Sequence, residues 1–183
     1  MVQRKNNKIL LHACCAVCLG YSYVKLKELG YDDILVYFFN PNIYPFDEYE
    51  RRKNELISFC ENKNYKYLIE DGLEKDWLDY TKEFKDEPEK GKRCNLCFKY
   101  RLNQSAKKAC EIGYSEFTTT LTISPHKISK NIFEIGEKIA NKYNINFFKV
   151  DFKKENGFLK TNQIAYENNL YRQNYCGCRY SIR

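Results

Sequence analysis

Five short runs rich in β-forming residues, separated by stretches with helical spacing, limit what this chain can fold into. Residues 8–12 (KILLH), 34–39 (ILVYFF), 65–69, 116–121 (EFTTTL) and 146–150 read as strands. Between them the period lengthens. Residues 19–29 read as a helix closed by Gly30, and 46–62 keeps Tyr49, Leu56, Ile57 and Cys60 on one face. Residues 74–84 are a further helical stretch, 95–112 turns Phe98, Leu102, Ala106 and Ala109 inward, and 129–142 is helical again. Strands regularly separated by helices imply parallel β-α-β units with right-handed crossovers. The expected fold is a single-domain three-layer α/β sandwich, with a mainly parallel five-stranded sheet in the order 3-2-1-4-5.

A length of 183 residues suits one such domain, and neither an internal repeat nor a second domain is visible. Residues 70–92 read as an acidic exposed segment. Residues 153–183 show no period and carry a CGC near their end, which the reading returns to the site. No apolar run approaches the ~20 residues of a membrane helix. The basic start, MVQRKNNKILLHACC, has an apolar stretch too short for a signal peptide, so a cytoplasmic protein is expected.

The predicted order puts a switch point between strands 1 and 4, where open α/β sheets bind ligands beyond the carboxyl ends of their strands. The turn holding Cys14, Cys15 and Cys18 directly follows strand 1. Residues 120–126 directly follow strand 4. Both are expected to line one pocket.

Nine cysteines are too few for a disulfide scaffold and odd in number. Clustered thiols in a reducing compartment bind metal or do redox chemistry. Cys60 and Cys110 fall beside apolar helix positions and read as core residues. The other seven sit in turns or beside breakers: C-C-x-x-C (Cys14, Cys15, Cys18), C-x-x-C (Cys94, Cys97) at a helix start, and C-x-C (Cys176, Cys178) around Gly177. Three clusters from distant parts of the chain point to one shared site. All-sulfur ligation suits zinc or an iron–sulfur cluster, and seven thiols exceed the four of a structural zinc site.

The charge of +7 is uneven. Glu70 to Gly91 holds nine acidic residues and four lysines, leaving +12 on the rest of the chain. That surplus is the footprint of a polyanion, nucleic acid first, and abundant aromatic faces suit unpaired bases.

With these features in hand, the chain resembles the QueH-type epoxyqueuosine reductases. The matching stretches are LLHACCAVC, NPNIYP with EYERR after it, GKRCNLCFKYRL, FTTTLTISPHK and LYRQNYCGCRYS, spanning residues 10–182. Val17, Tyr44 and His126 replace a usual proline, a common histidine and a common tyrosine. The resemblance implies an adenine-nucleotide α-hydrolase-like fold. It also implies reduction of epoxyqueuosine to queuosine in the tRNA anticodon with an iron–sulfur cluster, a nearby metal and no cobalamin. Epoxide to alkene takes two electrons and two protons, so an external donor of ferredoxin or flavodoxin type is expected.

On this reading Cys14, Cys15, Cys94 and Cys97 hold a 4Fe–4S cluster. Cys176 and Cys178 form a redox dithiol or, with Cys18, ligate a second mononuclear metal, iron or zinc. An alternative cluster is held by three cysteines. Arg52, Arg101 and Arg172 are expected at phosphates, Tyr44 and Tyr171 as stacking faces, and Asn40 and Asn42 as turn formers or nucleoside readers. Glu48 is expected to orient an arginine, His12 to be structural, His126 to donate a proton, and Asp151 to cap a turn or face the crevice. Two other functions compete: a zinc-stabilised tRNA-binding module without turnover, and an iron–sulfur tRNA thiolation enzyme. The absence of a glycine-rich phosphate loop after strand 1 argues against the second.

Overall fold

The computed structural model describes residues 7–182; the basic residues 1–6 and Arg183 lie outside the described residues. Five parallel strands form one sheet in the order β3-β2-β1-β4-β5. They are β1 (Lys8–His12), β2 (Asp33–Phe38), β3 (Lys66–Ile69), β4 (Glu116–Thr119) and β5 (Asn146–Phe147). Six helices complete the three layers: α1 (Ala16–Glu28), α2 (Phe46–Lys63), α3 (Glu74–Thr81), α4 (Lys92–Glu111), α5 (Ser129–Tyr143) and α6 (Gly157–Glu167). The predicted class and strand order stand.

Strand β1 is central, and Ile9, Leu10 and Leu11 are wholly buried between the helical layers. Each such side chain contributes about 1.5–3 kcal/mol through burial. His12 ends the strand, also buried. Its Nδ1 pairs with Thr119 Oγ1 at 2.8 Å and its Nε2 lies 3.3 Å from the Phe39 carbonyl, so it ties β1 to β4 and to the end of β2. Burial first, and Arg101 second, push its pKa down to about 3. The neutral, structural role expected of it agrees with this.

The departures lie at element ends. Helix α1 starts at Ala16, three residues before the predicted start, because the Cys15 thiol acts as N-cap and accepts from Cys18 N–H at 3.4 Å. Helix α4 starts at Lys92 rather than residue 95, which puts Cys94 and Cys97 in its first two turns. Strand β4 stops at Thr119, whose hydroxyl accepts from Leu121 N–H and turns the chain into a 3-10 segment, Thr120–Ile123. Strand β5 is two residues long, so Asp151 does not end it.

The stretch read as aperiodic contains α6. Its buried side is Gly157, Thr161 and Ala165, small residues spaced by four, while Phe158 and Leu159 are exposed. It packs on α1, where a Cβ at Gly20 would meet Ile164 Cγ2 at 2.8 Å. Cys60 is buried as expected. Cys110 is not: one residue past the inward Ala109, it is rotated off the core face of α4 and exposed.

Candidate active site

A cavity of about 980 Å³ opens at the carboxyl ends of β1 and β4, at the switch point. Cys14, Cys18, Cys94, Cys97, Cys176 and Cys178 face it, and Cys15 stands against Cys14.

The first thiol group follows β1. The sulfurs of Cys14, Cys15 and Cys18 all lie within 4.8 Å of one another, a spacing suited to a shared metal. Two elements set it. The Cys14 amide donates to Thr120 Oγ1 on the neighbouring strand's exit, and α1 begins with the Cys15 cap, which brings Cys18 one turn later onto the same side. Gln173, arriving from the C-terminal loop, donates through Nε2 to Cys15 Sγ at 3.1 Å. Hydrogen bonds from Cys15 and Cys18 hold the Cys14 thiol well below its ordinary pKa; giving them pushes Cys15 up to about 12 and Cys18 well up. These hydrogen bonds favour the thiolate at Cys14 and the protonated thiol at its two neighbours. A bound cation would favour the thiolate form of all three.

The second group joins Cys94 and Cys97 of α4 to Cys176 and Cys178 of the C-terminal loop. Lys90 N–H donates to Cys94 Sγ at 3.3 Å, and Cys97 packs with Cys178 around Trp77. Burial pushes Cys94 and Cys97 up. A hydrogen bond from Cys178, then one from Ser181, brings the exposed Cys176 down to about 5, against burial of its sulfur. Gly177 between them has φ +104°, and a Cβ there would stand 3.1 Å from Arg52 Nη1.

Arg52 explains that fit. It is buried rather than turned to solvent, its Nε bonded to Glu48 Oε1 at 2.6 Å. Its other nitrogens donate to the carbonyls of Cys176 (3.3 Å) and Tyr175 (3.2 Å). Three of its five N–H groups are engaged by Glu48 and by the loop that carries the C-x-C, so it is a positioning residue. Glu48 orients it, as the sequence reading expects, and also accepts from Tyr171 OH at 3.1 Å.

The other anticipated residues divide. Asn42 and Arg101 line the cavity, both buried, with Asn42 Oδ1 and Arg101 Nε unpartnered. Arg172 and His126 are exposed at its mouth. Asn40 stands one step behind the wall, donating to Ala13 O at 3.0 Å and accepting from Arg101. Tyr44 lies off the wall under the Arg179 guanidinium, 4.2 Å from its ring centroid, and Tyr171 lies under Arg51 at 3.4 Å. Asp151 faces Lys153 at 3.2 Å and is not part of the wall. Cys18 joins Cys14 and Cys15 instead of Cys176 and Cys178, because the early start of α1 rotates it that way.

The profile of the family described as Epoxyqueuosine reductase QueH matches residues 9–183. The chain belongs to that family. It is 39% identical over 181 residues to the Epoxyqueuosine reductase QueH of Streptococcus pyogenes serotype M1, covering 96% of this chain and 70% of that one. To the Epoxyqueuosine reductase QueH of Histophilus somni it is 38% identical over 179 residues, covering 97% and 73%. The U34-tRNA thiolase NcsA from Methanococcus maripaludis, solved with its 4Fe-4S cluster, shares the fold. Its TM-score is 0.58 at 13% identity, over 98% of this chain and 63% of that one. The QueH chain thus shares the three-layer α/β sandwich of that structure.

Several wall residues of this QueH member give no warning in the sequence. Trp77, Arg93, Thr161 and Gln173 line the cavity, and each has a buried polar atom without a partner. Arg51 and Lys127 add positive charge at the mouth. Only their nearness to cysteine or proline turns hints at any of them. Arg93 and Trp77 look like ordinary helix residues. Among the described residues no helix is long and apolar enough to cross a membrane.

Proposed function

We propose that the protein reduces epoxyqueuosine to queuosine at the wobble position of a tRNA anticodon, the closing step of queuosine formation. The observation that carries this reading is the convergence of three cysteine clusters, distant in sequence, on one cavity at the switch point of the sheet. Family membership supplies the substrate. A purely thiol donor set with no carboxylate or imidazole in it is what soft metals and iron–sulfur clusters take, and the residues fit such a group.

The seven thiols hold a 4Fe–4S cluster and a neighbouring metal ion, iron or zinc, between them. When bound, the cluster supplies electrons singly and the metal ion supplies Lewis acidity at the departing oxygen. The protein does the rest. Asn42 Oδ1 and Arg101 Nε, buried and unpartnered, grip polar groups of the modified base. Arg172, Arg51 and Lys127 at the mouth meet anticodon phosphates. His126, exposed at the same mouth, donates one of the two protons with which the oxygen leaves as water, and solvent supplies the other. Arg52 and Glu48 hold the C-x-C loop closed over the site. The electron donor is of ferredoxin or flavodoxin type, and a tRNA substrate supports a cytoplasmic location.

Turnover is the test. Anaerobically reconstituted protein with a one-electron donor is expected to convert epoxyqueuosine to queuosine in tRNA, read by nucleoside mass spectrometry, and Cys14→Ala is expected to abolish it. An iron-loaded protein that converts none overturns the reading. Sulfide analysis assigns the thiols: loss in Cys18→Ala with retention in Cys176→Ala puts the cluster on the β1 group, and the converse puts it on the second group. Retention in both restores the mixed set Cys14, Cys15, Cys94 and Cys97.

A further inference from the structure

The acidic segment after β3 has one residue that its composition does not explain. Trp77 on α3 is the single tryptophan of the chain and is wholly buried, although its helix is otherwise mostly exposed and acidic. Its side chain forms a small cluster with Cys97 and Cys178, one thiol from each half of the second group. The helix is fastened there by Glu74, which accepts from Arg179 Nε at 2.8 Å and lies 2.7 Å from Nη2, next to Cys178 in sequence. The indole Nε1 is buried in the cavity wall with no acceptor in full hydrogen-bond geometry, and it stands near enough to the Cys97 thiol to favour its thiolate against burial.

A buried N–H without an acceptor is costly, and folded proteins keep few of them. Phenylalanine would fill most of the same space without a polar hydrogen. What lies beside this N–H is sulfur, and protonated thiols are weak acceptors. A thiolate or sulfide bonded to metal is a stronger one, and hydrogen bonds to such sulfurs tune the centre they belong to.

We propose that the Trp77 indole N–H donates to a metal-bound sulfur at Cys97 or Cys178, making Trp77 a positioning residue for the second thiol group. This rests on the reading that those cysteines ligate metal. The acidic segment then has a purpose apart from its charge: it carries a donor to these thiols. A donated hydrogen bond withdraws charge from the sulfur and favours the reduced centre.

Because the chain has one tryptophan, the indole modes in an ultraviolet resonance Raman spectrum belong to Trp77 alone. The wild-type full chain is compared before and after anaerobic loading with ferrous iron and sulfide, with iron quantified in the same sample. The mode sensitive to N–H hydrogen bonding is expected to move from its free to its bonded position as iron is taken up. Iron taken up with no movement of that mode overturns the role of Trp77 and leaves the metal reading standing. Failure to take up iron overturns both.

Discussion

The turn after β1 and the loop at the C-terminus bring thiols to the same cavity by different means. Cys14, Cys15 and Cys18 are fixed by the sheet itself: β1 ends beneath them, Thr120 bonds Cys14, and Cys15 caps the helix that presents Cys18. Cys176 and Cys178 have no strand or long helix of their own. They are held by a buried ion pair on α2, by Gly177 and by contacts with α3. A site built half on a scaffold and half on a fastened loop can be assembled or opened by changing the fastening alone. The scaffold half should respond to the strength of the fold, the loop half to Arg52.

Breaking that fastening should give the largest effect. Removing one partner of a buried ion pair costs about 3–5 kcal/mol, and Arg52→Gln is expected to approach this in urea unfolding. The same variant should speed alkylation of Cys176 while leaving Cys14 protected. Equal acceleration at both would show that the two groups are not mechanically separate.

Gln173 joins the halves, since it rides on the loop and bonds Cys15. Outer hydrogen bonds to metal ligands contribute about 10–100-fold in affinity. Gln173→Ala is therefore expected to weaken zinc binding by that factor in a chelator competition, with Gln173→Asn no better because its side chain is shorter. An unchanged affinity would mean that the β1 group needs nothing from the loop.

His12 sharpens the scaffold side. Its folded pKa lies near 3, below the ordinary 6.5, so the unfolded chain binds a proton that the native state refuses. The stability it protects is complete above pH 6.5 and falls as pH drops toward 3, at about 1.4 kcal/mol per pH unit. His12→Gln is expected to flatten that slope, measured as denaturant midpoints between pH 4 and 7.

Legibility followed the same division. The strands and their order were readable because buried parallel strands carry dense β-branched and aromatic runs, as in residues 34–39. The turn thiols were readable because Cys14, Cys15 and Cys18 are close in sequence. Helix α6 was not, since it packs through Gly157, Thr161 and Ala165 and leaves no hydrophobic stripe. The start of α1 was missed because a thiol, not a hydroxyl or carboxylate, caps it. Arg52 reads as a surface cation until Glu48 and two carbonyls from residues 175 and 176 are placed around it. Such long-range partners have no local signature, and Trp77 is the same case.

The claim underneath all of this is that the seven thiols form a metal-bearing redox site. Iron, acid-labile sulfide and zinc per chain, with an absorption spectrum, measured on anaerobically reconstituted protein, test it most directly. About four iron and four sulfide with a brown chromophore, plus a further metal ion, is the predicted result. Zinc alone, with no sulfide retained after reconstitution, would contradict it.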